Sequence, residues 1–460
     1  MIHENVLQVI GNTPIVRLNR VAPHTGPEFY VKLEFMNPGG SIKDRIGWWM
    51  IEDAEKKGLI KPGGTLVECT SGNTGVGLAI AAAIKGYKCI FVLPDKMSQE
   101  KIKNLRAFGA KVVVTPTAVE ASDPRSYYSV ARQIAKDTPN SVHLHQYDNL
   151  SNRECHYKLT GPEIFKQMPE IDVFIAGIGT GGTVCGIAKA LKEKKPSVQV
   201  IAVDPIGSIV YEVFKTGKFT TPPKTYKIEG IGEDFIPKNY DFSVIDDIVQ
   251  VEDKESFLMT RDLLQKEGLY AGISSGSAVV GALRWAKREG AKLNGKKILI
   301  ILPDSGNRYL SKAFDDDWMR EAGFLDRPSL GTVGDLLHGR PQSQILMAKQ
   351  NDKISAVIDL MREKSISQLP VADDAGWIKG LATEGTLLNA LYEGRIKTSD
   401  TIDRLMDSSL EFVTPDDPIE KVSRLVTAGK VPLVNDPTHG GKLLAILTKI
   451  DLLTYLENRI

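Results

Sequence analysis

The chain of 460 residues carries 58 Lys and Arg against 57 Asp and Glu, a formal charge of +1, with 42% hydrophobic and 25% charged residues. That is the balance of an ordinary globular protein of about three compact units, and it excludes any charge-based reason to expect nucleic acid or an anionic membrane as partner. The start MIHENVLQ has no secretory leader, and no apolar run nears the ~18 residues of a spanning helix, so a cytoplasmic protein is expected.

The first informative element is NPGGSIKDR, Asn37 to Arg45. Pro38, Gly39 and Gly40 disfavour regular structure before Ser41, whereas Ile42, Ile46, Trp49 and Met50 recur at helical spacing. Lys43 therefore stands near a helix start, on a backbone that can approach a ligand closely. Next, TLVECTSGNTGVGLAIAAAI predicts a β-branched strand, a polar loop of Thr70, Ser71, Gly72, Asn73, Thr74 and Gly75, and an Ala-rich helix. Such a loop offers N–H groups and hydroxyls to an anion. Residues 87–116 read as strand, helix and strand, a βαβ unit, and its repetition implies a largely parallel sheet covered on both faces.

The run DVFIAGIGTGGTVCGIAKAL repeats the plan: strand 172–176, a loop of Gly177, Gly179, Thr180, Gly181, Gly182 and Thr183, then a helix. It has the form of a phosphate cradle, without the patterns of a P-loop or a dinucleotide fingerprint. Gly272-Ile273-Ser274-Ser275-Gly276 either sets a hydroxyl at the nitrogen of a pyridine ring or is simply a helix N-cap. Cys69, Cys89, Cys155 and Cys185 form no CxxC pair, and His143, His145 and His156 lack a carboxylate–histidine motif, so no metal is expected.

The pattern changes after about Asp326. A stretch read as a linker, 327–340, leads to two copies of one unit, 354–388 and 419–453, each a helix, a Pro-containing strand, a turn, a second strand and a closing helix. The division expected is a core over 1–326 and a repeat region over 341–460.

Taken in this order, VIGNTPIVRLNRV, NPGGSIKDR, TSGNTG and GTGGT resemble the motifs of the fold type II pyridoxal phosphate enzymes. EGIG followed by DFIP, LPDSGNRY and the C-terminal repeat resemble the cystathionine β-synthase branch of that family. The resemblance implies a two-lobed α/β core like the tryptophan synthase β chain, with the cofactor in the cleft, plus a tandem pair of CBS modules. It implies that Lys43 carries the cofactor covalently and then moves the Cα proton. Gly179, Thr180, Gly181, Gly182 and Thr183 would hold the phosphate, Asn73 the ring hydroxyl, and Ser274 or the adjacent Ser275 the ring nitrogen. Thr70, Ser71, Gly72, Thr74 and Gln146 would grip the substrate carboxylate.

The implied reaction condenses serine with homocysteine to cystathionine. The alternatives are O-acetylserine as donor, sulfide as acceptor, or an adenosine-ligand sensor with weak catalysis. In the repeat, Thr448 and Asp451 would hold a ribose, as of S-adenosylmethionine, whereas the first copy has Thr383 but Thr386 at the acidic position. A homodimer or homotetramer is implied. The core signature begins within ten residues of Met1, where animal members carry a haem-binding extension, so haem is not expected.

Overall fold

The apolar runs of the first 326 residues become ten strands: β1 (Ile15–Arg17), β2 (Glu28–Leu33), β3 (Thr65–Cys69), β4 (Lys88–Pro94), β5 (Lys111–Thr115), β6 (Ser141–His143), β7 (Val173–Gly177), β8 (Gln199–Pro205), β9 (Asp247–Val251) and β10 (Lys297–Leu302). This computed structural model describes residues 2–70, 72–95, 97, 99–116, 119, 123–326, 330–338, 345–436 and 442–457. It forms two units, Met1–Asp326 and Arg327–Ile460.

In the first unit one sheet has the order β1-β2-β10-β7-β8-β9 and the other β5-β4-β3-β6. Only the β1–β2 pair is antiparallel; every other pair in these two sheets is parallel. Alternation along the strands separates two cores. Ile175, Val203, Ile300 and Leu302 pack with Ala278, Ala282 and Trp285 of helix Ile273–Glu289. Phe174, Ala202, Leu299 and Ile301 face the other way, onto Val184, Ile187 and Leu191 of helix Gly182–Lys194. Side chains alternate across a strand, so one apolar run serves both faces.

In the second lobe, helices Lys43–Lys56 and Asn73–Lys85 cross at very short range. A Cβ on Gly47 would lie 2.4 Å from the Gly77 carbonyl carbon, and one on Gly77 would lie 2.5 Å from the Lys43 oxygen. The two missing side chains let the start of the first helix, with Lys43, sit against the loop that opens the second.

The second unit contains the repeat. Ala348–Lys349, Gln368–Ala372 and Ile378–Thr383 form one three-stranded sheet; Glu411–Val413, Pro432–Asp436 and Lys442–Ile446 form the other. Each has one parallel and one antiparallel pair, and each shifts register at a matching place, Val371/Ala372 and Val434/Asn435. Part of the stretch read as a linker belongs to this unit. Val333–His338 is a helix whose Val333 and Leu336 are buried with Val422, Val434 and Leu447. Residues 327–329 and 339–340 of that stretch lie outside the described residues. No described helix is long and apolar enough to cross a membrane.

Candidate active site

A cavity of about 700 Å³ in the first unit brings together Lys43, Asn73, Thr74, Gln146, Gly179, Thr180, Gly181, Thr183 and Ser274. The loops carrying these residues follow the C-terminal ends of parallel strands, among them β3, β6 and β7, as a ligand crevice in an α/β fold requires. Thr70, Gly72 and Gly182 lie outside the walls, and Ser71 is outside the described residues.

Lys43 opens its helix. Burial lowers its pKa to about 8, against the opposing pull of Glu233 and Asp304. Neutralising the amine relieves the cost of an ammonium in a poorly hydrated site. Glu233, in the cavity wall, shifts the other way: burial and then the neighbouring Asp234 raise its carboxyl well above the usual range, opposed by Lys43. Both shifts run toward the neutral forms, although an amine at about 8 still holds its proton for most of the time at pH 7.

The glycine-rich turn after β7 is held from behind. Tyr240 Oη donates to the Gly179 carbonyl at 2.6 Å, Asn152 Nδ2 to Thr180 Oγ1 at 3.2 Å, and Thr183 Oγ1 stands 3.2 Å from His156 Nε2. Gly181 has φ +82°, and a Cβ there would fall 2.1 Å from the Tyr240 ring; at Gly182 it would fall 2.1 Å from Asn152 Oδ1. No side chain caps the helix that begins at Gly182. A fixed turn with bare helical N–H groups and two threonine hydroxyls fits a phosphate. His156 is fully buried, with its other nitrogen 3.0 Å from Thr160 Oγ1, and burial holds it well below its ordinary pKa, hence neutral.

The loop after β3 is organised by its own hydroxyls. Thr70 Oγ1 accepts from the Gly72 N–H at 3.0 Å and the Gly75 N–H at 3.4 Å, so Thr70 shapes the turn from below. Thr74 Oγ1 donates to Gln146 Oε1 at 2.7 Å, and Gln146 Nε2 donates to the Cys69 carbonyl at 3.2 Å. Asn73 donates to Asp304 Oδ2 at 2.7 Å and accepts from Arg308 Nη1 at 2.6 Å. Each amide is thus oriented, with one N–H of its NH2 group still available. Of the two adjacent serines, Ser274 borders the cavity, whereas Ser275 lies outside its walls with its hydroxyl unpartnered among the described residues.

Several residues here escaped the motif reading. Asp304 is buried and accepts from both Asn73 and Tyr309 Oη. Glu229 pairs with Lys101 and, at 2.6 Å, with Lys312, joining the lobes across the cavity mouth. Tyr128, Tyr147 and Phe235 meet edge-on, with Tyr128 and Tyr147 in the wall. The motifs EGIG and LPDSGNRY carry Glu229 and Asp304, but nothing local in them announces partners so distant in sequence.

Comparison with known proteins agrees with this geometry. The profile described as "Pyridoxal-phosphate dependent enzyme" matches residues 6–304, and that of the CBS domain matches 333–393 and 402–458. The chain is 40% identical to a cystathionine beta-synthase of Dictyostelium discoideum, over 99% of this chain and 93% of the relative. It is 36% identical to that of Saccharomyces cerevisiae, over 98% and 97%. A solved hydrogen sulfide-producing enzyme from Fusobacterium nucleatum is 40% identical with a TM-score of 0.61, covering 67% of this chain and 98% of its own. The chain therefore belongs to the pyridoxal-phosphate dependent enzymes, in the cystathionine β-synthase branch that carries two CBS domains.

Proposed function

We propose that this enzyme replaces the β-hydroxyl of L-serine with the thiol of L-homocysteine, giving cystathionine and water. The observation that carries the reading is the pairing of Lys43 and Glu233 on one cavity, between the turn after β7 and the loop after β3. Gly179, Thr180, Gly181, Gly182 and Thr183 would hold the phosphate of pyridoxal phosphate, Lys43 its aldehyde carbon, Asn73 its ring hydroxyl through the spare N–H, and Ser274 its ring nitrogen. When bound, the cofactor supplies the electron sink that lets the Cα–H and Cβ–O bonds break.

The chain's own groups do the rest. Gln146, oriented by Thr74, presents its second N–H to the substrate carboxylate, beside the loop that Thr70 shapes. Lys43 Nζ, released as a free amine when the substrate amine takes its place, takes the Cα proton. The Glu233 carboxyl gives its proton to the departing hydroxyl, which leaves as water. The homocysteine thiol returns a proton to the Glu233 carboxylate as its sulfur bonds to Cβ, and the ammonium of Lys43 returns a proton to Cα. Ser274, a neutral hydroxyl in the cavity wall, would leave the ring nitrogen largely unprotonated, which would favour loss of a β-substituent over a long-lived carbanion.

In the repeat, Thr448 and Asp451 hold the ribose of an adenosine ligand such as S-adenosylmethionine. Asp451 Oδ2 accepts from the Thr448 N–H at 2.8 Å and from its hydroxyl at 2.6 Å, which sets the carboxylate at the helix start. In the first copy Thr383 and Thr386 meet hydroxyl to hydroxyl at 2.8 Å, without that charge. The reading makes the protein a cytoplasmic homo-oligomer. The test is a rate matrix of serine or O-acetylserine against homocysteine or sulfide. Serine with homocysteine is expected to be fastest, and a faster O-acetylserine with sulfide would overturn the assignment.

A further inference from the structure

On the far side of the loop after β3, away from the cavity wall, the fold gathers groups that the reaction does not use. The carboxylate of Glu68, the thiol of Cys69 and the imidazole of His143 offer ligand atoms that all lie within 4.8 Å of one another. Cys69 Sγ is 3.8 Å from Glu68 Oε1 and 4.0 Å from His143 Nε2. The topology makes the meeting. Glu68 and Cys69 end β3, and β6 pairs beside it with His143 opposite Val67, so His143 and Cys69 extend on the same face.

Two features separate this group from an ordinary core cluster. Glu68 is fully buried, and its Oε2 has no hydrogen-bond partner among the described residues. Next to it, the His145 ring lies 4.9 Å from that of His143, and its buried Nδ1 also lacks a partner. Buried polar atoms left without partners are costly, and two of them at one thiol and one imidazole are accounted for by a cation. No described Lys or Arg forms an ion pair with Glu68 in the salt-bridge geometry that the buried Glu34 and the partly exposed Glu229 have.

We propose that Glu68, Cys69 and His143 form a binding site for a zinc-class divalent cation, separate from the cofactor cavity. One sulfur, one nitrogen and one carboxylate oxygen are the donor set that zinc accepts in tetrahedral sites. Ligand edges around zinc are about 3.3–3.7 Å given metal–ligand bonds of about 2.0–2.3 Å, so the two separations from Cys69 Sγ, 3.8 and 4.0 Å, close by a few tenths of an ångström, while the Glu68 carboxylate swings toward His143 from within 4.8 Å. On binding, Cys69 and the Glu68 carboxyl release their protons to solvent and His143 stays neutral. Thiolate and carboxylate then cancel the two positive charges, and His145 or water completes the coordination. The site adjoins the amino-acid loop: Gln146 N–H donates to Glu68 Oε1 at 3.4 Å, and the Cys69 carbonyl accepts from Gln146 Nε2.

The test uses the full-length, cofactor-loaded enzyme, stripped of metal with a chelator and dialysed against graded Zn²⁺, with bound metal counted by mass spectrometry. X-ray absorption at the zinc edge reads the donors. One zinc per chain is expected, with a sulfur neighbour at about 2.3 Å, and at least a roughly tenfold weaker affinity in both Cys69→Ser and His143→Gln. The substitutions lie on different strands, so failure of one variant to fold leaves the other informative; normal cofactor absorbance marks the folded protein. Absence of bound zinc, zinc without a sulfur neighbour, or unchanged affinity in a folded variant would overturn the site.

Discussion

The loops after β3 and β7 look alike in sequence, both rich in glycine and threonine and both leading from a parallel strand into a helix, yet the tertiary structure fixes them by different means. After β7 the glycines face unyielding neighbours: a Cβ on Gly181 would meet the Tyr240 ring and one on Gly182 the Asn152 amide. After β3 the glycine that departs furthest from ordinary backbone, Gly72 at φ +131°, faces the aliphatic stem of Lys101 at 3.3 Å. One loop is a rigid cradle and the other a turn tied by side-chain hydrogen bonds and lying beside an aliphatic stem. A rigid cradle suits a group that stays through every turnover; an adjustable turn suits one that comes and goes.

The largest effect tests the lysine that both loops serve. Lys43→Ala should lower turnover by roughly a thousandfold or more, as expected for loss of a covalent base, while leaving the far-ultraviolet circular dichroism unchanged. A variant that keeps its activity removes Lys43 from the centre of the comparison. Gly181→Leu should come next, since the leucine cannot share space with Tyr240. Cofactor content on purification should fall by at least roughly tenfold, and an unchanged cofactor stoichiometry would show that the cradle is not rigid.

Glu233→Gln separates proton donation from binding. Turnover with serine should fall roughly a hundredfold, with much less change for O-acetylserine, whose acetate leaves without needing a proton. Equal losses on both donors would reduce Glu233 to a structural role. For pH, the depressed Lys43 value sets the sign. Below about 8 the amine is protonated and cannot attack the cofactor aldehyde. The rate of reconstituting cofactor-free enzyme should therefore rise about tenfold per pH unit up to that point and level off above it. A rate still climbing steeply past pH 9 would indicate an ordinary, solvated lysine.

The mildest change sharpens the contrast between the loops. Gly72→Ala imposes backbone strain of about 1–3 kcal/mol, but the Lys101 stem can move aside. A raised KM for the amino acid with normal cofactor content is the expected result, and a loss of cofactor equal to that of Gly181→Leu would erase the distinction.

Much of this molecule is legible in local chemistry. Pro38 to Gly40 interrupt the chain just before a helix, so Lys43 at that helix start can be read from nine residues. The strand–loop–helix plan around GTGGT needs only β-branched residues, glycine and a helical apolar stripe. The repeat is visible because each copy restates the same alternation, and the structure places matching register shifts at Val371/Ala372 and Val434/Asn435. The stretch containing Val333 and Leu336 misleads because Gly and Pro around it resemble a linker, whereas its helix is held by burial against the second copy.

Sequence by itself determined most of the strands and helices of the catalytic core and the repeat, where the glycine-rich turns fall, and which lysine stands at a loop. These depend on neighbours within a few residues, where backbone conformation and apolar periodicity act. Only the tertiary structure decided that Ser274 faces the cavity and Ser275 does not, and that Thr70 shapes its loop from beneath. It also decided that Asp304 orients Asn73 and that Glu229 spans the mouth to Lys101. Burial and pairing across more than a hundred residues are set by how the sheets stack. The same cause shifts the Lys43 amine and the Glu233 carboxyl toward their neutral forms, because desolvation exists only once the lobes have closed around them.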